Sequence, residues 1–141
     1  MAEIIHCLKS YDTVPCRSKI VWLTQEDAAL LNEHLALCGQ KPMAEKRFRD
    51  MYRKGTARYC LLYCDGVPAA RGAVEPYSDE AWEAGDIRTA RTYRGRGLAK
   101  EILRFLSAYI IEQGRTATCR TEETNIAMQK VMRAVGYVSG D

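Results

Sequence analysis

A chain of 141 residues, 47% of them hydrophobic and 28% charged, is long enough to bury a core, and its composition excludes disorder and a collagen-like structure. The net charge of +3 is too small to predict a polyanionic partner. No apolar run approaches the roughly 20 residues of a membrane span, and the N-terminus carries no secretory signal. We therefore expect a soluble, cytoplasmic protein that forms a single domain over residues 1–141.

The six cysteines and two histidines do not form a metal-binding pattern. Cys60 and Cys64 are the closest pair of cysteines, but inside a strand four residues span about 13 Å, which is too far to chelate one ion. Neither His6 nor His34 lies near a cysteine pair. We expect reduced cysteines and no metal site.

The first part of the chain predicts strands and a helix. Glu3–Leu8 is one strand candidate and Ile20–Leu23 is another. Thr24 has the character of a helix N-cap, with Asp27 three residues later as an imperfect capping box. Apolar residues then recur at helical spacing until Gly39, which can end the helix in a left-handed conformation.

A second helix and a β-hairpin follow. The helix is expected to start after Pro42 and to stop near Gly55. The dipeptide Asp65–Gly66 is a strong hairpin signal, and it joins the strand-like runs Ala57–Cys64 and Val67–Val74. These two strands should be antiparallel.

The second half of the chain alternates strands and helices. Ala84–Thr92 is a candidate third strand of the meander, and an amphipathic helix is expected over Gly97–Gln113. Thr116–Arg120 predicts a short strand, and Asn125–Val135 predicts a last helix that Gly136 ends. A strand, helix, strand sequence favours a right-handed crossover between parallel strands, so the fold class is α/β with a mixed sheet.

The segment Thr92–Lys100 lies where a predicted strand meets the N-terminus of a predicted helix. Gly95 and Gly97 allow positive φ and close approach of a ligand, so that unpaired N–H groups and the helix dipole can bind phosphate. Arg94 and Arg96 add fork-shaped donors that suit phosphate oxygens. The neighbouring basic residues are Arg88, Arg91, Lys100 and Arg104. The segment therefore predicts an anionic ligand.

Several alternatives compete for this glycine loop. A P-loop needs a Gly-Lys-Ser/Thr ending that the loop does not supply, and a dinucleotide fingerprint needs a third glycine where Lys100 stands. The glycines could also form a plain turn beside solvated arginines. A small RNA-binding module that stacks a base on Tyr93 is a further alternative, although the scattered aromatic residues and the short basic run argue against nucleic acid.

The segment Arg94–Ala99, Arg-x-x-Gly-x-Ala, resembles the Arg/Gln-x-x-Gly-x-Gly/Ala signature of the GNAT N-acetyltransferase superfamily, in its usual place between the fourth strand and the third helix. Asn125 and, eleven residues later, Gly136–Tyr137 resemble the residues that open and close that superfamily's fourth helix. The resemblance covers residues 16–138. It implies a GNAT-like fold with an antiparallel meander, parallel fourth and fifth strands that splay apart, and helices on both faces.

The resemblance implies transfer of an acetyl group from acetyl-CoA, the cosubstrate, to a primary amine of a small molecule or peptide, with no metal and no membrane partner. The pyrophosphate would lie on residues 94–99 and the pantetheine along residues 88–91, where a backbone N–H near Thr89 or Ala90 would polarise the thioester carbonyl. The implied CoA-binding residues are Thr89, Ala90, Arg91, Arg94, Gly95, Arg96, Gly97, Leu98, Ala99, Asn125 and Met132. A non-catalytic CoA-binding module is the alternative.

An alkylamine acceptor is mostly protonated at neutral pH, so a base or a water chain must remove a proton before attack. Glu83 and Asp86 are the catalytic candidates at the start of the fourth strand, and we favour Glu83. Glu75 and Glu122 are further candidates. A bulge in the strand would change which face each residue occupies, so periodicity cannot choose between them.

The leaving thiolate and the acceptor are less well defined by the sequence. Many superfamily members carry a tyrosine seven residues after the helix-opening asparagine, but here that residue is Met132, which cannot donate a proton. Solvent or Tyr137 would have to serve instead. The acceptor would lie against the first two helices and the turn that includes Tyr77 and Trp82.

The resemblance also bears on one edge of the sheet. The superfamily domain continues with two more strands, whereas this chain ends at Asp141, so the C-terminal strand pair would be missing and Thr116–Arg120 would have an open edge. The amino-terminal strand Glu3–Leu8 is expected on the far side of the sheet, beside the first strand. We therefore expect a second copy of the chain to cover the edge in a homodimer.

Overall fold

The structure, a computed structural model, describes residues 2–3 and 18–138. Its strands are β1 Ala2–Glu3, β2 Ser18–Trp22, β3 Arg58–Cys64, β4 Val67–Glu75, β5 Ala81–Thr89, β6 Thr116–Thr118 and β7 Arg120–Thr121. Its helices are α1 Ala28–Leu37, α2 Glu45–Lys54, α3 Leu98–Glu112 and α4 Ile126–Val135. β2 to β6 form one sheet in chain order, antiparallel except for the parallel pair β5 and β6. The predicted mixed α/β fold is confirmed.

Helices cover both faces of this sheet. On one face α3 and α4 pack against the strands around Ile102, Leu106 and Met132, all of which are buried. On the other face α1 and α2 contribute Leu31 and Phe48 to a second buried cluster. We call these the α3 face and the α1 face of the sheet.

Most of the predicted turns and caps are present. Asp65 and Gly66 both have positive φ, as a tight hairpin requires. The side chain of Asn125 accepts a hydrogen bond from the Met128 N–H at 3.1 Å, and Gly136 ends α4 with a φ of 115°. The expected N-cap at Thr24 is wrong, because α1 begins at Ala28.

The strand β5 is displaced from its predicted range of Ala84–Thr92. It begins at Ala81, because residues 81–83 pair in parallel with Thr116–Thr118, a contact between distant parts of the chain that no local pattern reports. It ends at Thr89, since residues 91–93 turn into a short 3₁₀ helix. The predicted strand Thr116–Arg120 is interrupted at Cys119, where β6 ends and β7 follows.

The pairing of β7 differs from the expectation for this edge. Ala2 and Glu3 of the same chain lie antiparallel to Thr121 and Arg120, so these residues are on the β7 side and not beside β2. The rest of the strand predicted from Glu3 to Leu8 lies outside the described residues. The homodimer stays a prediction.

Within residues 2–3 and 18–138, no helix combines the length and the apolar character needed to cross a membrane.

Candidate acyl-CoA site

The parting of β5 from its parallel neighbour creates a cleft. The parallel ladder joins Ala81–Glu83 of β5 to Thr116–Thr118 of β6. Beyond this ladder the two segments separate, while β5 continues to pair with β4. The outer part of the cleft encloses ≈ 390 Å³ and the inner part ≈ 200 Å³. Ile87, Asn125 and Met128 line both parts, which connects them.

The lining residues come from β5, the glycine loop, α4 and the edge of β7. Those of the outer part are Ile87, Arg88, Thr89, Tyr93, Arg94, Gly95, Gly97, Leu98, Ala99, Lys100, Asn125, Ala127, Met128 and Val131. Those of the inner part are Gly85, Asp86, Ile87, Cys119, Arg120, Thr121, Asn125 and Met128.

The glycine loop has the geometry of an anion site. Gly95 and Gly97 have φ values of 81° and 78°, and space is open where a Cβ of either would stand. The first intrahelical bond of α3 runs from Glu101 N–H to Gly97 O, so the N–H groups of residues 98–100 lie in the helix's first turn, where intrahelical acceptors are lacking. Donors and dipole therefore converge on the mouth of the cleft.

The arginines of the loop are held near this mouth. Arg94 Nε donates to Thr89 O at 3.2 Å, and the Arg96 guanidinium lies 5.1 Å from the ring centroid of Tyr93. Arg96 and Arg91 are exposed and do not line the cleft, so they could reach a bound phosphate only from its rim.

Two more of the residues assigned to CoA from the sequence, Ala90 and Met132, do not line the cleft. Ala90 is buried and its N–H donates to Ala69 O at 2.8 Å, so it is not available to a thioester carbonyl. The alternation of an antiparallel ladder turns the Thr89 N–H away from β4, toward the cleft. Met132 is 1% exposed and packs in the core of the α3 face. Sequence reasoning missed Met128 and Val131, although they follow Asn125 at helical spacing on the same face of α4.

The catalytic candidates Glu83 and Asp86 lie on the same face of β5, although they are three positions apart. Ala84 and Ile87 pack toward α3, which turns Glu83 to the opposite, α1 face. Asp86 bonds Arg71, which β4 also presents to the α1 face. A bulge in the ladder between β4 and β5 accounts for the change of register.

The two carboxylates differ in their partners. Asp86 accepts hydrogen bonds from Tyr59 Oη at 2.6 Å and from Arg71 at 2.9 Å. Burial, with the adjacent charge of Asp86, raises the pKa of Tyr59, so the phenol keeps its proton and donates it. Glu83 lies 3.2 Å from the guanidinium of Arg120, and its side chain is 18% exposed.

Tyr137, Glu75 and Glu122 are the other candidates for proton transfer, and Tyr77 is expected beside the acceptor. Tyr137 is buried against Ser107, 2.5 Å away, and burial raises the pKa of its phenol, so it is a poor acid for a departing thiolate. Tyr77 is exposed, with its hydroxyl 3.0 Å from Thr118 Oγ1. Glu75 pairs directly with Glu83 across the ladder, and Glu122 is exposed.

Two further side chains bear on the chemistry of the cleft. Trp82 packs on the α3 face beside Tyr109, on the opposite face of β5 from Glu83. Cys119 lines the inner cleft, where burial raises the pKa of its thiol to about 12.

In the described part of the chain, no group of three or more His, Cys, Asp or Glu side chains is arranged to hold a metal ion.

Comparison with known proteins agrees with this geometry. A sequence model described as the acetyltransferase (GNAT) family matches residues 21–137, so the chain belongs to the GNAT acetyltransferase family. No relative of significant similarity was found among curated proteins.

Solved structures share the fold. A GNAT-family protein of Novosphingobium aromaticivorans is 23% identical with a TM-score of 0.72, and 99% of this chain covers 59% of it. An acetyltransferase of the same family from Colwellia psychrerythraea is 24% identical with a TM-score of 0.74, and 99% of this chain covers 52% of it. The chain therefore spans little more than half the length of these two proteins.

AAC(6')-Iy, solved in complex with the bisubstrate analogue CoA-S-monomethyl-acetylneamine, is 15% identical with a TM-score of 0.73. The match covers 89% of this chain and 93% of that one.

Proposed function

We propose that this protein transfers an acetyl group from acetyl-CoA to a primary amine. The observation that carries the proposal is the glycine loop at the open end of a cleft between two parting parallel strands. Gly97, which has a positive φ, immediately precedes α3, and residues 98–100 of the helix's first turn line this opening. A pyrophosphate bound there leaves the inner cleft for the pantetheine arm and the thioester.

The residues along the cleft suit an acyl-CoA. Ile87, Met128 and Val131 give the cleft apolar walls for the methylene groups of pantetheine. The Thr89 N–H, turned away from β4, can pair with a pantetheine amide, as an added strand would. Arg94 and Lys100 supply the charge that the phosphates require.

The reaction we propose is direct attack of the amine nitrogen on the thioester carbonyl carbon. Glu83 accepts the proton that the amine must lose, the C–S bond breaks, and CoA leaves as a thiolate that solvent protonates. No acid is essential, since a thiol has a pKa of roughly 8.5 and its anion is a good leaving group. Cys119 keeps its proton at neutral pH, so a covalent acyl-cysteine is not favoured.

This fold serves more than one class of acceptor amine. Structures that share it include an aminoglycoside acetyltransferase from an uncultured soil metagenomic sample and a ribosomal-protein-alanine N-acetyltransferase from Brucella melitensis, whose names give unlike acceptors. The direct experiment is a screen of amine acceptors with acetyl-CoA that follows the release of free thiol. An acceptor-dependent release that Glu83→Gln diminishes supports the proposal, and a protein that binds no acetyl-CoA contradicts it.

A non-catalytic CoA-binding module is the second candidate. Two observations favour it: Met132 replaces the usual phenol, and both carboxylates on the α1 face already have cationic partners. In that case acetyl-CoA binds but no amine in the screen releases thiol.

Three broader expectations also remain proposals. We propose that residues 1–141 act as one domain, that the protein is cytoplasmic and that it forms a homodimer. Equilibrium sedimentation that shows a stable monomer at high micromolar concentration would contradict the last of these.

A further inference from the structure

The strand β5 has one irregular position, and it lies at the inner end of the cleft. Arg71 pairs with Arg88 and Ala73 pairs with Gly85, so Asp86 and Ile87 together oppose a single residue of β4. Asp86 has a φ of 47°, in the left-handed region that favours glycine. Such a conformation persists where the surroundings over-determine it.

Both carboxylate oxygens of Asp86 accept hydrogen bonds. Tyr59 Oη donates to Oδ2 at 2.6 Å, and Arg71 donates to Oδ1 at 2.9 Å. Arg71 is 4% exposed and also donates to Gln40 Oε1 at 2.7 Å, which fixes the guanidinium in turn. We call Gln40, Tyr59, Arg71 and Asp86 the clamp.

We propose that Asp86 is a positioning residue, whose clamped carboxylate holds the bulge of β5 in the conformation that directs a peptide N–H of residues 85–87 at the thioester carbonyl. The inference rests on the proposed function. Gly85, Asp86 and Ile87 line the inner cleft, and a bulge leaves a peptide group outside the ladder. An N–H fixed in advance at the carbonyl oxygen stabilises the oxyanion that forms on attack.

Asp86 and Glu83 therefore have different roles. Both oxygens of Asp86 already accept hydrogen bonds from donors that are themselves held in the structure, as an anchor requires. Glu83 lies on the same face beyond the bulge and is left as the base. The clamp also joins β5 to Gln40, which follows the C-terminal end of α1.

Isotope-edited infrared spectroscopy of [1-¹³C]acetyl-CoA bound to the protein tests the inference without an acceptor. In the wild type the thioester carbonyl should absorb at a lower frequency than in free acetyl-CoA, because an N–H donor polarises it. Asp86→Ala should abolish this shift, and Tyr59→Phe should reduce it. The affinity of each variant for CoA itself, which has no thioester, is measured in parallel, so that a lost shift is distinguished from lost binding.

Because Asp86→Ala leaves the buried Arg71 without its counter-charge, the double variant Arg71→Met/Asp86→Ala is measured as well, and melting curves verify that each variant folds. Asp50→Ala, an acid on α2 that pairs with Arg53, is the matched control and should keep the full shift.

Three results would overturn the proposal: no shift in the wild type, an unchanged shift in the folded clamp variants, or an unchanged shift with a loss of turnover that high pH restores, which would make Asp86 the base. A wild-type protein that binds no acetyl-CoA would instead contradict the proposed function.

Discussion

At the scale of single residues, Glu83 is the group on which the proposed chemistry depends. Glu83→Gln should lower turnover by about 10²-fold or more with little change in CoA affinity, because a glutamine cannot accept the proton of the amine. The loss should shrink as the pH rises, since the free amine, with a pKa of about 10, becomes available without a base. Steady-state rates between neutral and alkaline pH measure this.

The exposed Glu112→Gln, at the end of α3, is the control and should match the wild type. Equal pH profiles for Glu83→Gln and the wild type would show that another group or solvent removes the proton.

The buried side chain of His34 should make the stability of the protein depend on pH. Its ring is fully buried, with Nδ1 2.8 Å from Pro68 O and Nε2 3.3 Å from Cys38 Sγ, and burial lowers its pKa below the ordinary 6.5. The unfolded chain therefore binds a proton more readily than the folded one, and stability falls as the pH drops below about 6.5, by up to about 1.4 kcal/mol per pH unit.

Urea unfolding of the wild type and His34→Gln between pH 7 and pH 5 measures the difference. The variant should be less stable at pH 7 and should lose less stability on acidification. His6 is present in both proteins and cancels, and equal slopes would contradict the assignment.

At the scale of the elements, Gly72 sets how closely α3 approaches β4. A Cβ at this position would stand 2.5 Å from Ile102 Cγ2 and 2.8 Å from Leu106 Cδ1, and both side chains are completely buried. Gly72→Ala should therefore destabilise the protein by about 1–3 kcal/mol through overpacking, although alanine normally favours a strand more than glycine does.

A double-mutant cycle with Ile102→Ala tests this packing. The space left by the isoleucine should accommodate the added methyl group, so the double variant should lose less stability than the sum of the single variants in urea unfolding. Additive losses would show that the clash is relieved elsewhere.

The sequence predicted the helices, the hairpin and the glycine loop because their signals are local. Gly55, Gly66 and Gly136 carry the positive φ that their neighbours require, and Asn125 caps the helix that follows it. The start of β5 could not be predicted, because it depends on pairing with residues more than thirty positions away. The position of the bulge at Asp86 could not be predicted for the same reason, since the Asp86 carboxylate is bound by Tyr59 and Arg71 from other strands.

At the scale of the whole molecule, the glycine loop, the cleft and membership of the GNAT family together support the proposed acyl-CoA site, and the two candidate carboxylates lie on the α1 face. The glycine motif identified the loop at the outer end of the cleft, where we propose that backbone N–H groups bind phosphate. Of the residues that line the inner end, the sequence identified only Asp86 and Asn125 as candidates, because the others come together only when β5, β7 and α4 meet.

The central claim is that acetyl-CoA binds at the glycine loop, and calorimetry of Gly97→Val against Gly114→Val tests it most directly. Both glycines have a similar positive φ, 78° and 75°, with open space beside them, so the backbone strain of a valine is matched, whereas Gly114 lies after α3 and does not line the cleft. We predict that acetyl-CoA binds the wild type and Gly114→Val alike and that Gly97→Val, still folded, binds it at least about a hundredfold more weakly, since close backbone approach to the phosphates is lost. Equal affinity in all three proteins would contradict the account.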